Sequence, residues 1–446
     1  MRVVLISLPA PFESEPAMNP PLGLAYIAAN LREVTSDIQA IDFTCFPQYD
    51  YYKSKRYLQE IPLDGDLYCI SCTTPQFHWL VEVTEYVKQN TSGEVIVGGP
   101  HATTRAKECL DIAKVDYVMR GEGDKAIVDL VNDVDPTLIE GLNFIDGDEY
   151  IEKSRSYIRD LDSLPFPGRD VFNLAQYKRK IYEYQAIHLI TLRGCPYNCA
   201  FCDRESVGRV LRYRSIQNVM QEIDLLVGQY GVRAFVIYDD IFTLSRERVL
   251  EFCYELKLRK LMWRCWSRAD TLDEEKLVAM KEAGLTSITI GIESGSDTIL
   301  TNIKKGATAE DNRKALLLCK RLDVPVRCSL MYGNPGETRK TIEETLMLIK
   351  ETQPDEWNLA ILTPIPGSDI WNRPEAYGIT YNQDLAKKNR YKQCNRFGNT
   401  GIGSVSITLD TMTEQEFQSN LEYFVHALEE VCPRRKIQDT IQNIKL

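Results

Sequence analysis

Two long series of alternating strand and helix patterns constrain the fold of this chain more than any other feature of its sequence. In residues 1–140 the apolar runs predict strands at Val3–Leu8, Ile38–Phe43, Leu67–Ser71, Val95–Val97 and Tyr117–Met119. Helical periodicity lies between them, at Leu22–Val34, Trp79–Gln89, near Ala106–Ile112 and at Ala126–Val131. Such βαβ units form a parallel sheet covered on both faces. We therefore predict a five-stranded Rossmann-like domain, whose ligands bind beyond the carboxyl ends of the strands.

The second series contains six βα units. Its strands are predicted at His188–Leu192, Ala234–Tyr238, Met262–Ser267, Ser287–Gly291, Val326–Tyr332 and Glu356–Leu362. Its helices are predicted at Gln217–Gln229, Ser245–Leu258, Asp273–Ala283, Ala309–Arg321 and Thr338–Glu351. Six consecutive units predict an α/β partial barrel of the TIM type over residues 181–370, with its chemistry at the carboxyl ends of the strands.

The rest of the chain is less regular. Residues 141–180 contain Leu164-Pro165-Phe166-Pro167 and are expected to be a semi-rigid linker, because proline fixes φ and removes a donor. Residues 371–446 form a small, mostly helical C-terminal region, which ends in a helix that begins with the capping box Thr413 and Glu416. We expect this region, around Tyr391–Asn399, to shape the substrate pocket.

Composition excludes several classes of protein. No apolar run approaches the ~20 residues of a membrane helix, and the chain begins with a strand pattern rather than a signal peptide. The net charge of -11 argues against a long surface that follows nucleic-acid phosphates. Thirteen cysteines without a secretion signal indicate reduced thiols in a cytoplasmic protein, some of them metal ligands.

Three of those cysteines carry the strongest functional signal. Cys195, Cys199 and Cys202 lie in one short loop after the first barrel strand, with C-x3-C-x2-C spacing. Three thiolates can hold three irons of a 4Fe–4S cluster and leave the fourth iron open. Zinc is the alternative, but it needs a fourth ligand, and none of the four histidines of the chain lies in that loop.

This loop resembles the signature of the radical S-adenosylmethionine superfamily. The resemblance implies that the open iron chelates S-adenosylmethionine and that one electron cleaves the sulfonium. The products are methionine and a 5′-deoxyadenosyl radical, which abstracts a hydrogen from the substrate. The protein then orients the reactants and excludes water. Phe201 matches the aromatic position of the family beside the adenine.

The following strand ends match further segments of the family. The wider family has Gly-Gly-Glu after the second strand, where this chain has Asp239 and Asp240; either carboxylate could accept from the substrate ammonium or merely cap a helix. Arg268 could clamp the methionine carboxylate or pair with Asp270. The remaining candidates for S-adenosylmethionine binding, at the fourth and fifth strand ends, are Gly291, Glu293 and Ser294 for ribose, and Tyr332, Pro335 and Gly336 for adenine.

The first domain resembles the cobalamin-binding domain of one large branch of that superfamily. The candidate contacts follow its third, fourth and fifth strands and are Ser71, Thr73, Thr74, Gly98, Gly99, His101, Gly121 and Glu122. His101 could also be a hydrogen-bonded structural histidine. The Asp-x-His-x-x-Gly motif that ligates cobalt is absent after the first strand. This absence fits a cofactor held without a histidine ligand, and it equally fits a domain that has lost cobalamin.

The resemblance implies a cobalamin-dependent radical enzyme, and we expect a methyltransferase that acts on an unactivated carbon of a small molecule. Its cofactors would be a 4Fe–4S cluster, S-adenosylmethionine and cobalamin, with the substrate between the two domains and an external low-potential electron donor. Two alternatives remain open. One is a radical cyclase, ring-rearranging or carbon-coupling enzyme that transfers no methyl group, and the other is a non-catalytic binding module. The sequence assigns no protein residue to the radical step itself.

Overall fold

The computed structural model describes residues 1–381, 396–397 and 407–433, with the exception of residues 12, 14 and 47. The chain divides into two compact units, the first of which is Met1–Lys178 and the second of which begins at Arg179. The segment Tyr391–Asn399, expected to shape the substrate pocket, lies outside the described residues apart from residues 396 and 397.

The first unit is built on a seven-stranded sheet with the order β2-β1-β3-β4-β5-β6-β7. The strands are β1 (Val3–Ser7), β2 (Ile38–Asp42), β3 (Leu67–Ser71), β4 (Glu94–Gly98), β5 (Tyr117–Met119), β6 (Leu142–Asp146) and β7 (Glu149–Ile151). The helices are α1 (Leu22–Leu31), α2 (Phe77–Asn90), α3 (Pro100–Thr104), α4 (Ala106–Glu108), continued by a π turn at Cys109–Ala113, and α5 (Ala126–Val131). The first five strands are parallel, as the sequence predicts.

The sheet is buried on both faces because helices cover each side. In β1 all five residues are buried, with Val4 and Ile6 in one apolar core and Val3 and Leu5 in the other. Each such side chain contributes about 1.5–3 kcal/mol through removal from water. This two-sided burial explains why the strand is a continuous apolar run rather than an alternating one.

Two strands of this sheet were not predicted. β6 and β7 form an antiparallel hairpin on β5, inside the stretch expected to be a linker. The hairpin turns at Gly147, which has φ +59° and follows Asp146. Asp146 pairs with Glu149, so the loop is Gly147-Asp148, and glycine followed by aspartate between two strands is a hairpin signal that was present in the sequence.

The second unit contains an eight-stranded sheet with the order β18-β16-β15-β14-β13-β12-β9-β8. Its strands are β8 (Lys180–Ile181), β9 (Tyr184–Leu189), β12 (Ala234–Ile237), β13 (Met262–Arg268), β14 (Leu285–Glu293), β15 (Val326–Tyr332), β16 (Glu356–Ile361) and β18 (Arg396–Phe397). Two small pairs accompany it: β10 (Leu192–Arg193) with β11 (Arg212–Tyr213), and β17 (Ile379–Tyr381) with β19 (Ile407–Leu409).

The six central strands are parallel and adjacent in chain order, so this sheet is the predicted six-stranded partial barrel. β8 and β18 are antiparallel at its edges. The helices are α6 (Arg204–Val207), α7 (Ile216–Tyr230), α8 (Arg246–Lys257), α9 (Glu274–Glu282), α10 (Asp297–Asn302), α11 (Ala309–Arg321), α12 (Arg339–Thr352), α13 (Asp369–Asn372) and α14 (Glu414–Val431). α14 begins at the predicted capping box. Among the described residues, no helix combines the length and apolarity needed to cross a bilayer.

Candidate active site at the strand ends of the barrel

The cysteine loop, residues 193–203, follows the short strand β10 and is held at its start by backbone contacts. Gly194 has φ +99°, and a Cβ there would lie 2.3 Å from the carbonyl oxygen of Val210, so no other residue fits. The amide of Cys195 donates to the carbonyl of Gly208 over 2.9 Å. The loop therefore enters the site in one fixed direction.

The middle of the loop is bonded to two later helical segments, the end of α10 and the start of α13. The amide of Ala200 donates to the carbonyl of Ile303 at 2.8 Å, and its own carbonyl accepts from the amide of Ile370 at 3.0 Å. Asp203 then ends the loop by capping α6 with its carboxylate. Because these bonds come from distant parts of the barrel, the loop is formed only in the folded unit.

The three thiols of the loop lie close enough together for their charges to affect one another. Burial raises the pKa of Cys195, and burial followed by the charges of Cys199 and Cys195 raises the pKa of Cys202 to about 12. Cys202 nonetheless keeps an exposed surface, so solvent and small molecules can reach its side of the loop. In the described part of the chain, no group of three or more His, Cys, Asp or Glu surrounds a single-ion site. A 4Fe–4S cluster takes one thiolate on each of three irons, and its positive irons supply the charge that deprotonates them.

Arg268, at the end of β13, is buried beside the cysteine loop. Its Nε and Nη2 each donate to a carboxylate oxygen of Asp270 over 2.9 Å. Nη2 also donates to the carbonyl of Lys305 at 2.6 Å, and Nη1 lies 3.5 Å from Sγ of Cys199. The ring of Tyr197 stacks on the guanidinium, 3.6 Å from its carbon. The guanidinium of Arg268, which was a candidate to bind the methionine carboxylate, is thus paired with Asp270. This pairing is the alternative that the sequence left open.

Asp239 is a structural residue in this site. Its carboxylate accepts from the amide of Thr191 at 2.5 Å, from the hydroxyl of the same residue, and from the amide of Leu192 at 3.2 Å. Burial, partly offset by these hydrogen bonds, raises its pKa to about 6. Asp239 therefore fixes the chain just before the cysteine loop.

Asp240 has a different environment. Its surface is open to solvent, although surrounding protein atoms desolvate the carboxyl and raise its pKa to about 6. It accepts from the amide of Gly194 and lies close enough to Cys195 and Cys202 to raise the pKa of both thiols. Asp240 is therefore an accessible carboxylate beside two of the thiols.

The end of β14 holds an ion pair that the sequence did not reveal. Nζ of Lys305 donates to Oε1 of Glu293 at 2.8 Å; the side chain of Lys305 is buried and that of Glu293 is partly buried. Glu293 has φ +60°, where the pairing of β14 with β15 shifts register. A Cβ at Gly291 would lie 2.8 Å from Oε1 of Glu293 and 3.0 Å from Nζ of Lys305, so glycine leaves room for the pair. Lys305 also lies 5.9 Å from the ring of Phe201, which brings the predicted ribose and adenine residues together.

Ser294, the residue after Glu293, is buried and hydrogen-bonded within the barrel. Its buried hydroxyl contacts that of Thr345 at 3.1 Å and accepts from the amide of Ser296. Its carbonyl accepts from the side chain of Asn312 at 2.9 Å. These contacts anchor the loop on the surrounding helices.

The segment after β15 offers backbone rather than side chains to a ligand. Tyr332 is fully buried, and its hydroxyl donates to the carbonyl of Phe417 in α14 at 2.7 Å. Glu337 accepts from the amides of Gly333 and Asn334 at 2.7 and 2.9 Å, and burial raises its pKa to about 7. This buried carboxyl, not recognised in the sequence, shapes the turn.

The same turn closes on α10. The carbonyl of Pro335 accepts from the side-chain amide of Asn302 at 2.9 Å. Gly336 has φ +78°, and a Cβ there would lie 2.5 Å from that amide nitrogen. Both predicted residues therefore serve the backbone conformation of the loop.

In the first unit, the ligand edge of the sheet has a glycine pair after β4. A Cβ at Gly98 would meet only the Cβ of Met119, at 3.8 Å, so this backbone is open to a close approach. Gly99 has φ +97° and makes a tight turn, since its Cβ would lie 2.9 Å from the carbonyl of Cys72 and 3.3 Å from the hydroxyl of Ser71.

The loop after β3 is ordered by its own polar contacts. Thr73 forms a capping box with Gln76, whose side-chain amide donates to the carbonyl of Leu8 at 2.9 Å and so joins this loop to the one after β1. The hydroxyl of Thr74 lies 3.1 Å from Nδ1 of His101. Burial lowers the pKa of His101 to about 4, so the ring is neutral and hydrogen-bonded within the protein, as the structural alternative predicts.

The candidates after β5 are tied to a neighbouring segment. A Cβ at Gly121 would lie 2.5 Å from the carbonyl of Ser156. The carboxylate of Glu122 accepts from the amide of Ile158 at 2.7 Å, and its carbonyl accepts from the hydroxyl of Ser156. Their contacts with a cofactor remain predictions.

Comparison with known proteins agrees with this arrangement. The profile of the radical SAM superfamily matches residues 189–349, and the profile of the B12 binding domain matches residues 16–131. An uncharacterized methyltransferase of Pyrococcus horikoshii is 31% identical over 373 residues, which cover 81% of this chain and 79% of the relative. The chain belongs to the radical S-adenosylmethionine superfamily, in its cobalamin-binding branch. It is a radical S-adenosylmethionine enzyme, and its cofactors are a 4Fe–4S cluster, S-adenosylmethionine and cobalamin.

Two further similarities bear on fold and activity. The anaerobic magnesium-protoporphyrin IX monomethyl ester cyclase of Cereibacter sphaeroides is 29% identical, and the match covers 79% of this chain and 60% of that protein. The solved structure of the methyltransferase TsrM from Kitasatospora setae, with tryptophan and a SAM analogue bound, superimposes with a TM-score of 0.72 at 17% identity. It covers 100% of this chain and 92% of the other. This similarity confirms the predicted fold class.

Proposed function

We propose that this protein is a cobalamin-dependent radical methyltransferase that methylates an unactivated carbon of a small molecule. The observation that carries the proposal is the presence, in one chain, of the three-cysteine loop at the barrel strand ends and of the B12 binding domain. The relationship to a methyltransferase over most of both chains supports it. When bound, the cluster supplies the electron that cleaves S-adenosylmethionine, and cobalamin supplies a carrier for the methyl group.

Different residues of the barrel would bind the cluster and the separate parts of S-adenosylmethionine. Cys195, Cys199 and Cys202 would hold the cluster. Asp240 would accept from the ammonium of S-adenosylmethionine, because it is the accessible carboxylate beside the thiols. Glu293, held by Lys305, would accept from the ribose hydroxyls.

Adenine would lie between the ring of Phe201 and the backbone of Gly333–Gly336. That backbone is fixed by Glu337, and the buried Tyr332 supports it from behind. The amides of Gly333 and Asn334 are bound by Glu337, and Pro335 has no amide, so adenine would be recognised by the remaining backbone groups of this turn.

In the first unit, cobalamin would lie on the open backbone of Gly98, against the hydroxyls of Ser71 and Thr73. A corrinoid needs close approach to the sheet edge, and a side chain at Gly98 would occupy that space. His101 would support the loop without ligating cobalt, since its ring is buried and bonded to Thr74.

The reaction also requires a reducing compartment and a source of electrons. The enzyme would act in the cytoplasm and receive single electrons from an external low-potential donor. The oxygen sensitivity of such clusters supports a reducing compartment, as do the twelve cysteines that are free in the described part of the chain.

Isotope tracing tests methyl transfer directly. The anaerobically reconstituted chain would be given S-adenosylmethionine with a deuterated methyl group, reduced corrinoid and candidate substrates. Product that gains the labelled methyl group supports the proposal. Product without the label, formed together with 5′-deoxyadenosine, contradicts it. Cys199→Ala is the matched control and should form neither labelled product nor 5′-deoxyadenosine.

A second function is favoured by the relationship to the magnesium-protoporphyrin cyclase. In that case the radical would close or rearrange a ring without methyl transfer. The mass of the product distinguishes the two functions: a gain of one methylene supports transfer, and a loss of two hydrogens supports cyclisation.

A further inference from the structure

Arg268 has one contact that the binding of S-adenosylmethionine does not explain. Nη1 lies 3.5 Å from Sγ of Cys199, within hydrogen-bonding distance for sulfur, and both residues are buried. A guanidinium is always protonated and donates to any anion that it meets. Arg268 therefore directs a positive charge at one ligand of the cluster.

Contacts with three residues hold the guanidinium of Arg268 in this orientation. Asp270 accepts from two of its nitrogens, the carbonyl of Lys305 accepts from Nη2, and the ring of Tyr197 covers its face at 3.6 Å. Tyr197 belongs to the cysteine loop itself. The stack therefore joins the loop to the donor that contacts its own second cysteine.

A hydrogen bond to a cluster sulfur changes the reduction potential. The reduced cluster carries one more negative charge than the oxidised cluster, so a positive donor at a ligand sulfur stabilises the reduced form more. Charge-assisted hydrogen bonds are roughly twice as strong as neutral ones, and burial strengthens them further.

We propose that Arg268 is a positioning residue for the cluster, which donates to the thiolate of Cys199 and raises the potential at which the cluster accepts its electron. Asp270 and Tyr197 orient it. The step is a one-electron reduction by an external low-potential donor, with no proton transfer and no bond broken. The proposal rests on the cluster and not on methyl transfer, so it can fail or hold independently of the reaction product.

The test is a redox titration of the full-length, anaerobically reconstituted chain without substrate, followed by electron paramagnetic resonance of the reduced cluster. We expect Arg268→Gln to lower the midpoint potential. At the wild-type midpoint the ratio of reduced to oxidised cluster should fall at least tenfold, which corresponds to about 59 mV for one electron. Tyr197→Leu should shift the potential in the same direction by less, because the charge remains but its stack is lost.

Arg248→Gln is the matched control. This half-buried arginine donates to the carbonyl of Thr191 and stacks on Tyr213, so its loss removes a charge from the same unit without removing the donor to Cys199. Its potential should stay at the wild-type value.

An unchanged potential in Arg268→Gln at full iron content overturns the proposal, as does an equal shift in Arg248→Gln. If Arg268→Gln loses its iron, Arg268→Lys and Tyr197→Leu decide. A lowered potential in either variant supports the proposal. Wild-type potentials, or loss of iron from all three variants, overturn it and leave Arg268 with a role in holding the loop.

Discussion

Nζ of Lys305 lies 2.8 Å from Oε1 of Glu293, and Gly291 is the residue that leaves space for both. Glu293 takes a left-handed backbone, φ +60°, that is costly for a residue with a side chain. The ion pair with Lys305 offsets this cost and fixes the position of the carboxylate. The pair thus prepares an acceptor before any ligand binds.

Lys305→Met should weaken the binding of S-adenosylmethionine at least tenfold. Removal of Lys305 leaves the partly buried carboxylate of Glu293 without its cation, which costs at most about the 3–5 kcal/mol of a fully buried pair. Equilibrium binding to the cluster-loaded protein would measure it. The neighbouring Lys304→Met is the control: Lys304 is half exposed and pairs with Asp369, so binding should change less than twofold. Equal losses in both variants would contradict the assigned role.

Gly194→Ala should cost the protein most of its iron. The new Cβ would lie 2.3 Å from the carbonyl of Val210, at a φ of +99° that alanine resists, so the cysteine loop must shift. Iron per chain after anaerobic reconstitution is the measurement. Gly228→Ala, in the last turn of α7 with nothing within 4 Å of its Cβ, should keep full iron and gain at most about 0.5–1 kcal/mol of stability.

Asp239→Asn should impair stability and iron content, whereas Asp240→Asn should impair only the binding of S-adenosylmethionine. The first variant loses an acceptor for the amides of Thr191 and Leu192, and we expect a lower melting temperature and less bound iron. The second variant should keep its iron and its melting temperature but bind S-adenosylmethionine about tenfold more weakly, because a neutral amide replaces the proposed ammonium acceptor. Retained binding in Asp240→Asn would exclude that role.

Glu337→Gln should flatten the dependence of stability on pH. Burial raises the pKa of Glu337 from an ordinary 4.5 to about 7, so the native state holds its proton more tightly than the unfolded state. Its stabilising contribution is therefore complete below pH 4.5 and is lost as pH rises through 7, by about 3 kcal/mol. Urea unfolding of the cluster-free protein at about pH 5 and pH 8 would measure this slope. The exposed Glu375→Gln should leave it unchanged, and an equal slope in Glu337→Gln and wild type would contradict the assignment.

The sequence was most informative where a local pattern is sufficient. The strand Val326–Tyr332 and the helix Ala309–Arg321 have the predicted bounds, because their periodicity and end signals are local. The hairpin of β6 and β7 was missed, although its glycine–aspartate turn was visible, because the prolines further along suggested a linker.

The hydrogen-bonding and ion-pair partners of individual side chains could be assigned only from the structure. The sequence placed Asp239, Asp240 and Arg268 at strand ends, but adjacent residues there point in different directions. Only the fold shows that Asp239 holds the backbone, that Asp240 lies beside two of the thiols, and that Arg268 is engaged with Asp270 and Cys199. Lys305 carried no motif, since its partner Glu293 is twelve residues away and meets it only through the turn after α10.

The sequence by itself determined the two α/β domains and the three-cysteine loop, because both depend on residue order and spacing along the chain. The tertiary structure decided which charges meet around that loop. Those contacts join residues from several strand ends, and their distances and burial are set only when the barrel closes around them.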